Sequence, residues 1–219
     1  MPGLKWKAAQ YFESRWWRWY LRNKKSEEYL QWKLNYWNNF INIIGNHITL
    51  KPDGNYLDLG CGPAGIFMAL PGNVVAVDPL IEKYKQDFPS LFQKYEGNVR
   101  FLKAKAEEFS STNPCDIVFC LNVINHVDEI GRAVGKLRSL CKQGGTIVVS
   151  VDEHRWQMLH HIFRWLPFDV LHPHQLSRSG FENLLISNGF EIVYTTILKT
   201  ELIFRYRLWV AQCGKFQRQ

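Results

Sequence analysis

Several things are scarce in this 219-residue chain, and each scarcity narrows what it can be. No apolar run is long enough to span a bilayer, so no transmembrane helix is expected. The N-terminus lacks an apolar h-region followed by a small-residue cleavage site, so no secretory signal is expected. The five cysteines (Cys61, Cys115, Cys120, Cys141, Cys213) are odd in number and form no Cys-x-x-Cys pair. That argues against a disulfide framework or zinc knuckle and for a reducing cytoplasm. There is no internal repeat and no low-complexity linker. At 46% hydrophobic and 21% charged, the composition is that of a globular protein with one sizeable core.

Charge is present but unevenly placed. Residues 1–25 hold seven Lys/Arg and one acid, Glu13, a balance of +6 within a total of +7. The body is therefore nearly neutral, and the basic character belongs to an N-terminal arm. That arm is also rich in Trp: six of the nine lie between Trp6 and Trp37. Residues 5–22 read as a helix with Phe12, Trp16 and Trp19 on one face and Arg15, Arg18, Arg22 and Lys25 on another. An apolar Trp face beside a basic face is the pattern of an interfacial helix drawn to anionic lipid. The plainer reading is a lid over an active-site mouth.

A second helix is predicted from Ser26, with Glu27 and Glu28 in its first turn. Leu30, Leu34, Trp37, Ile41 and Ile44 give it one apolar stripe, and Gly45 or Asn46 ends it. Pro52-Asp53-Gly54 is a turn. From Tyr56 onward short apolar strands alternate with helices. Strands are predicted at 56–59, 74–77, 99–104, 117–121, 146–151, 191–198 and 204–213, and helices near 65–70, 79–95, 130–140 and 180–188. The alternation implies an α/β fold with a mostly parallel, seven-stranded sheet in a three-layer, Rossmann-like arrangement. The last two strands follow one another without a helix and should pair antiparallel at one edge.

The most informative segment is Leu57-Asp58-Leu59-Gly60-Cys61-Gly62-Pro63-Ala64-Gly65, at the end of the first strand. Gly60 and Gly62 allow a tight turn and close approach of backbone to a ligand, and Gly65 permits close packing. The spacing is also that of the dinucleotide fingerprint. Asp58 separates the two: a carboxylate two residues before the first glycine would repel a pyrophosphate. It suits a ligand with an ammonium and a cationic sulfur, directly or by orienting the loop. Eighteen residues after Gly60, Asp78 ends the second strand, where a carboxylate can accept from both hydroxyls of a ribose.

Acid, glycine loop and second acid together resemble the class I S-adenosylmethionine-dependent methyltransferases, in the small-molecule branch, over roughly residues 55–213. The resemblance implies S-adenosyl-L-methionine as cofactor and direct displacement of its methyl group. It implies cofactor contacts at Asp58, Gly60, Cys61, Gly62, Pro63, Asp78 and Pro79. It adds Ala106 and Glu107 at the adenine, since Lys105 stands where many members carry an Asp and cannot accept a hydrogen bond. Leu121 and Asn122, at the end of the fourth strand, should face the transferred methyl. Cys61 is read as a small loop residue rather than a nucleophile, and His126 as a structural residue after the fourth strand. No metal site is expected: His172 and His174 stand at i, i+2 with no partner close in sequence.

The chain is read as an N-terminal arm or lid, 1–50, and a catalytic domain, 51–219, with a substrate cap inserted at 152–178. The cap is rich in His and Trp, and His154, nearest the strand end, is the candidate general base. Asn-Pro-Pro-Tyr, the signature of enzymes that methylate base amino groups, is absent. With a neutral body, the acceptor expected is small or lipid-like, apolar or ring-containing, rather than nucleic acid. The alternative is an RNA or protein methyltransferase that docks through the basic arm. Localisation is expected to be cytoplasmic, with peripheral membrane contact through residues 1–25.

Overall fold

The computed structural model describes residue 15 and residues 26–124, 127, 129–154, 177–200 and 204–214. At residues 26, 153, 154 and 204 the backbone alone is described. The helix expected at 5–22 is represented only by Arg15, in helical conformation; the rest of it, His126, and residues 155–176 of the expected cap lie outside the described residues.

Seven strands form one sheet in the order β3-β2-β1-β4-β5-β7-β6. The chain divides into two compact units, Met1–Lys105 and Ala106–Gln219. The first unit opens with helix α1 (Ser26–Ile44), carrying Glu27 and Glu28 in its first turn. Its buried face is Tyr29, Trp37, Phe40 and Ile44, while Leu30, Leu34 and Ile41 are half-buried. The expected stripe is thus rotated toward the aromatic residues. Strand β1 (Asn55–Leu59) is buried over its last four residues and pairs parallel with β2 (Asn73–Val77), which pairs parallel with β3 (Val99–Leu102). Strands covered on both faces need near-continuous apolar runs, and Leu57, Leu59, Val74, Ala76 and Val77 supply them.

Two helices of the first unit differ from expectation, each for a local reason. The segment after the glycine loop is a four-residue 3₁₀ helix, Ile66–Ala69, and not a longer α-helix. Pro71 and Gly72, with φ +75°, follow at once and stop it. The helix expected over 79–95 is two, α2 (Ile81–Asp87) and α3 (Pro89–Gln93). Pro89 has no N–H to continue the first helix and forces Phe88 out of helical geometry, at φ −139° and ψ 55°; it then starts the next helix. Phe67, Tyr95, Phe101 and Phe92 fill the space behind with edge-on ring contacts at 4.9–5.5 Å.

The second unit holds β4 (Cys115–Leu121), α4 (Ile130–Leu140), β5 (Cys141–His154), α5 (Arg178–Ser187), β6 (Phe190–Thr200) and β7 (Phe204–Cys213). Strand β4 pairs parallel with β5, and β7 lies antiparallel between β5 and β6. The antiparallel last pair at one edge agrees with the sequence expectation. Strand β5 is longer than expected at both ends: it starts at Cys141, which pairs with Cys115 of β4, and β7 runs beside it as far as His154. Helix α4 buries Ala133, Val134, Leu137 and Leu140, and Ser177 caps α5 by accepting from the Gly180 N–H. Trp209, fully buried beside the Phe181 ring, donates its indole N–H to Glu182 at 3.1 Å, so its one polar atom is satisfied.

Candidate functional site

The loop after β1 is built by hydrogen bonds that its own chain path dictates. The N–H groups of Gly60 and Cys61 both donate to the Val77 carbonyl, at 2.7 and 3.1 Å, which turns the chain back over the end of β2. Gly60 and Gly62 stand at φ +76° and +57°, a region that costs an L side chain about 1–2 kcal/mol. A Cβ added at Gly62 would meet no atom within 4 Å, so the backbone there presents an open face. At Gly65 the opposite holds: a Cβ would collide with the Asp58 carboxylate and the Cys61 carbonyl. Gly65 is therefore what gives Asp58 its room.

Asp58 is buried; its Oδ2 accepts from the Phe67 N–H at 3.0 Å, and its carboxylate also accepts from the Ile66 N–H. Of the two roles expected for it, orienting the loop is the one these bonds carry. Burial pushes its pKa up to about 7, helped by the charge of Asp78 and opposed by those backbone donors and by Lys33. Asp78 is also buried and ties the two ends of the loop region together. Its Oδ2 accepts from the Gly62 N–H at 3.0 Å and its Oδ1 from the Leu80 N–H at 2.8 Å. Burial raises it to about 6, against the same kind of backbone donation. A carboxylate offers about four lone-pair sites, so each Asp78 oxygen retains one beyond these bonds. Cys61 is buried, and burial with the neighbouring Asp58 and Asp78 charges pushes its thiol well up. That direction disfavours the thiolate, the nucleophilic form.

Helix α1, part of the expected 1–50 arm, packs on this loop through Trp37 and brings Lys33 toward it, two roles the sequence reading did not single out. Trp37 donates its indole N–H to the Ala64 carbonyl at 3.0 Å. One turn earlier, Lys33 is half-buried, with its ammonium 5.2–5.7 Å from the ring centres of Trp32, Tyr36 and Trp37. Burial lowers its pKa to about 8, and the charge of Asp58 pulls the other way. A visible signal existed: Lys33 is the lone charged residue between Gln31 and Ile44, set among three aromatic residues. The first unit thus gathers one cation, two buried carboxylates and an exposed glycine backbone. Pro63 sits between Gly62 and Ala64 in the loop, and Pro79 follows Asp78 directly.

The remaining candidates lie in the second unit. Ala106 and Glu107, at its start, are both buried. Leu121, the last residue of β4, is half-buried, and Asn122 after it is exposed. Asn122 stands at φ 58°, the one non-glycine residue of positive φ among those described. Its backbone N–H donates to both the carbonyl and the Oγ of Ser150 on β5, each at 3.0 Å. With its amide oriented to satisfy both groups, its side-chain nitrogen donates to both oxygens of Asp152 at 3.0 Å. His154 is the last residue of β5, paired with Phe204. Among the described residues no group of three or more His, Cys, Asp or Glu could hold a metal, and no helix is long and apolar enough to cross a membrane. All five cysteines are free.

Known proteins share both sequence and fold with this chain. A ubiquinone biosynthesis O-methyltransferase of Bradyrhizobium sp. is 27% identical over 157 residues, 64% of this chain and 61% of that protein. The protein of the same name in Rickettsia prowazekii is 30% identical over 152 residues, 59% of each chain. This chain therefore spans less than two thirds of the length of these relatives. Among solved structures, magnesium protoporphyrin IX methyltransferase from Synechocystis, with bound S-adenosylhomocysteine, has a TM-score of 0.68 and 18% identity, covering 94% of this chain and 98% of that one. The YcgJ protein of Bacillus subtilis has a TM-score of 0.63 and 15% identity, covering 82% and 100%. At these identities the two structures speak for the fold, which is the Rossmann-like methyltransferase fold. With residues 30–195 matching the methyltransferase-domain family, a span that runs from α1 into β6, the chain belongs to that family.

Proposed function

We propose that this chain is an S-adenosylmethionine-dependent methyltransferase that acts on a small, apolar or ring-containing acceptor by direct displacement. The observation that carries the reading is the first-unit loop, in which Asp58 and Asp78 are held by backbone N–H groups of the glycine loop and the segments that follow, with Lys33 of α1 near enough for its charge to act on Asp58. This donor set fits the cofactor. Lys33 can hold its carboxylate, the buried acids favour its ammonium, and the spare lone pairs of Asp78 suit a ribose diol. Two buried carboxylates disfavour a pyrophosphate, which argues against a nicotinamide or flavin. When bound, the cofactor supplies an electrophilic methyl on sulfur. The chain's part is to hold and orient, since alignment is a large share of the barrier in a displacement. Ala106 and Glu107 at the adenine, Leu121 and Asn122 near the methyl, residues 1–50 as arm or lid, and the 152–178 cap belong to the same proposal. The relatives' names, ubiquinone biosynthesis O-methyltransferase, support a small acceptor over nucleic acid. Calorimetry with S-adenosylhomocysteine is the test. Micromolar binding supports the reading, and no binding, or tighter binding of a nicotinamide cofactor, would sink it.

Peripheral membrane contact is the second part of the proposal, favoured by a specific surface. Trp32, Tyr36 and Ile43 are 52%, 44% and 49% exposed on α1. Their spacing keeps them near one side of the helix, which follows directly on the basic, Trp-rich residues 1–25. Co-sedimentation with anionic vesicles, weakened by salt and lost on deleting residues 1–25, is expected. Equal sedimentation with neutral vesicles, or none with either, would leave the arm as a lid.

A further inference from the structure

Three buried cysteines gather at one end of the second unit, and the proposed function uses none of them. Cys115 begins β4 and pairs with Cys141, which begins β5. Cys213 ends β7, which runs antiparallel to β5, so it lies at that same end of the sheet. Open α/β sheets bind their ligands at the opposite, carboxyl ends of the parallel strands. The cluster therefore asks for a separate explanation.

The chain path brings Cys141 and Cys213 together. Cys141 pairs with Cys115, but Thr146 pairs with Ile117, so residues 142–145 bulge opposite Asp116 alone. An ion pair between Lys142 and Asp116 at 2.8 Å ties the bulge down. The register of β5 and β7 sets Thr146 against Gln212, which brings Gly145 opposite Cys213. Residues directly opposite on antiparallel strands share a face, with Cβ atoms about 4.5–5.5 Å apart. Gly145 has no side chain there, and the Cys141 sulfur fills the space, 2.9 Å from where a Cβ would stand. The Cys141 thiol donates to the Cys213 sulfur. From the last turn of α4, the Arg138 guanidinium donates to the carbonyl of Gly214, the residue after Cys213, at 3.0 Å. Accepting from Cys141 holds the Cys213 thiol below its ordinary range, with burial opposing and the Arg138 charge helping. Donating to Cys213 pushes Cys141 up, and burial adds to it. The thiolate is thus favoured at Cys213 over Cys141.

We propose that Cys141 and Cys213 form a redox-sensitive pair, which a hydroperoxide converts to a disulfide and a small dithiol converts back. The Cys213 sulfur attacks one peroxide oxygen. An S–O bond forms, the O–O bond breaks, and the departing oxygen takes a proton. The Cys141 sulfur then attacks the Cys213 sulfur. The S–S bond forms, the S–O bond breaks, and the hydroxyl leaves with the Cys141 proton as water. Two electrons pass from the two sulfurs to the peroxide, and a dithiol returns them through a mixed disulfide. Both sulfurs are buried, which favours a small, neutral oxidant. The bridge would tie the start of β5 to the end of β7, closing a loop of about seventy residues and so constraining the unfolded chain.

The test starts from the native, folded chain and needs no turnover. Reduced protein is treated with hydrogen peroxide, the remaining thiols are blocked, and peptides are mapped by mass spectrometry without reduction. A Cys141–Cys213 bridge is expected, reversed by dithiothreitol, with Cys61, Cys115 and Cys120 still carrying the block. The bridged protein should melt about 5–15 °C above the reduced one. Two variants test the order of attack. Cys141→Ser should stop at a sulfenic acid on Cys213, trapped by dimedone. Cys213→Ser should leave Cys141 unoxidised at the same dose. Absence of a bridge overturns the proposal, as does a Cys115–Cys141 bridge or one formed only in denaturant. A lower Tm in the bridged protein overturns it too, because the native fold would then not accommodate the bond. Dimedone on Cys141 in Cys213→Ser overturns the assignment of Cys213 as the attacking sulfur, and the proposal with it.

Discussion

The two units hold their carboxylates by different means. In the first, Asp58 and Asp78 are fixed by backbone N–H groups of Ile66, Phe67, Gly62 and Leu80, all within a short loop or its immediate neighbour. In the second, Asp152 is fixed by a side-chain amide thirty residues away, on a backbone that must be strained to deliver it. Backbone donors are set by the path of the chain, so glycine spacing announces them. A side-chain clamp depends on the β4–β5 register, Leu121 against Ser150, which no local pattern spells out. A backbone-held site should tolerate changes around it and fail when its acceptor is removed.

The largest expected effect is at that acceptor. Asp78→Ala removes bonds from a charged group to ligand hydroxyls, at a cost of about 2–4 kcal/mol, or roughly 30- to 1000-fold in S-adenosylhomocysteine affinity by calorimetry. An unchanged affinity would place the ligand elsewhere than the loop. Next comes Gly62→Val. Its side chain would enter the open face and abolish binding, and at φ +57° a β-branched residue is also strained. The cofactor-free Tm should fall by about 2–8 °C for about 1–2 kcal/mol of strain. Gly62→Ala separates the two effects, with similar strain and a smaller loss of binding.

Lys33→Met should weaken S-adenosylhomocysteine about tenfold if the ammonium holds the ligand's carboxylate. The pH dependence sharpens this. With Asp78 near 6, Asp58 near 7 and Lys33 near 8, affinity should be best around pH 7–8. It should fall below that as the acids take up protons, and above it as Lys33 loses its own. In Lys33→Met the alkaline limb should disappear while the acidic limb stays.

Stability without ligand should run the other way at the acidic end. Both carboxylates have folded pKa values raised above the unfolded value of about 4. Between about pH 4 and 7 the native state therefore binds more protons than the unfolded one. Their contribution to stability is full below pH 4 and is lost as pH rises through 6 and 7. Asp58→Asn should flatten that part of a Tm-against-pH curve, and a steeper slope would count against the burial argument. The smallest change is Trp37→Phe, which keeps the ring in place and removes the bond to Ala64. It should cost about 1 kcal/mol of stability and two- to fivefold in cofactor affinity, read by calorimetry and thermal melts.

Much of this molecule could be read before any coordinates. Strand–helix alternation from Tyr56 foretold the sheet, because period and turn residues are local properties. Gly60 and Gly62 foretold a tight turn of positive φ after β1, because that backbone favours glycine wherever it occurs. Pro89 should have announced the break between α2 and α3, and the long periodic pattern hid it. Three things belonged to tertiary structure alone. Lys33 and Trp37 reach the loop because α1 packs against the 3₁₀ turn, a contact between residues 27 apart in the case of Trp37 and Ala64. Asp58 serves the loop from within because Gly65 leaves space for its carboxylate. Asn122 and Asp152 meet because two parallel strands end in register. Local chemistry sets which backbone shapes a segment can adopt, and packing decides which distant side chains those shapes bring together.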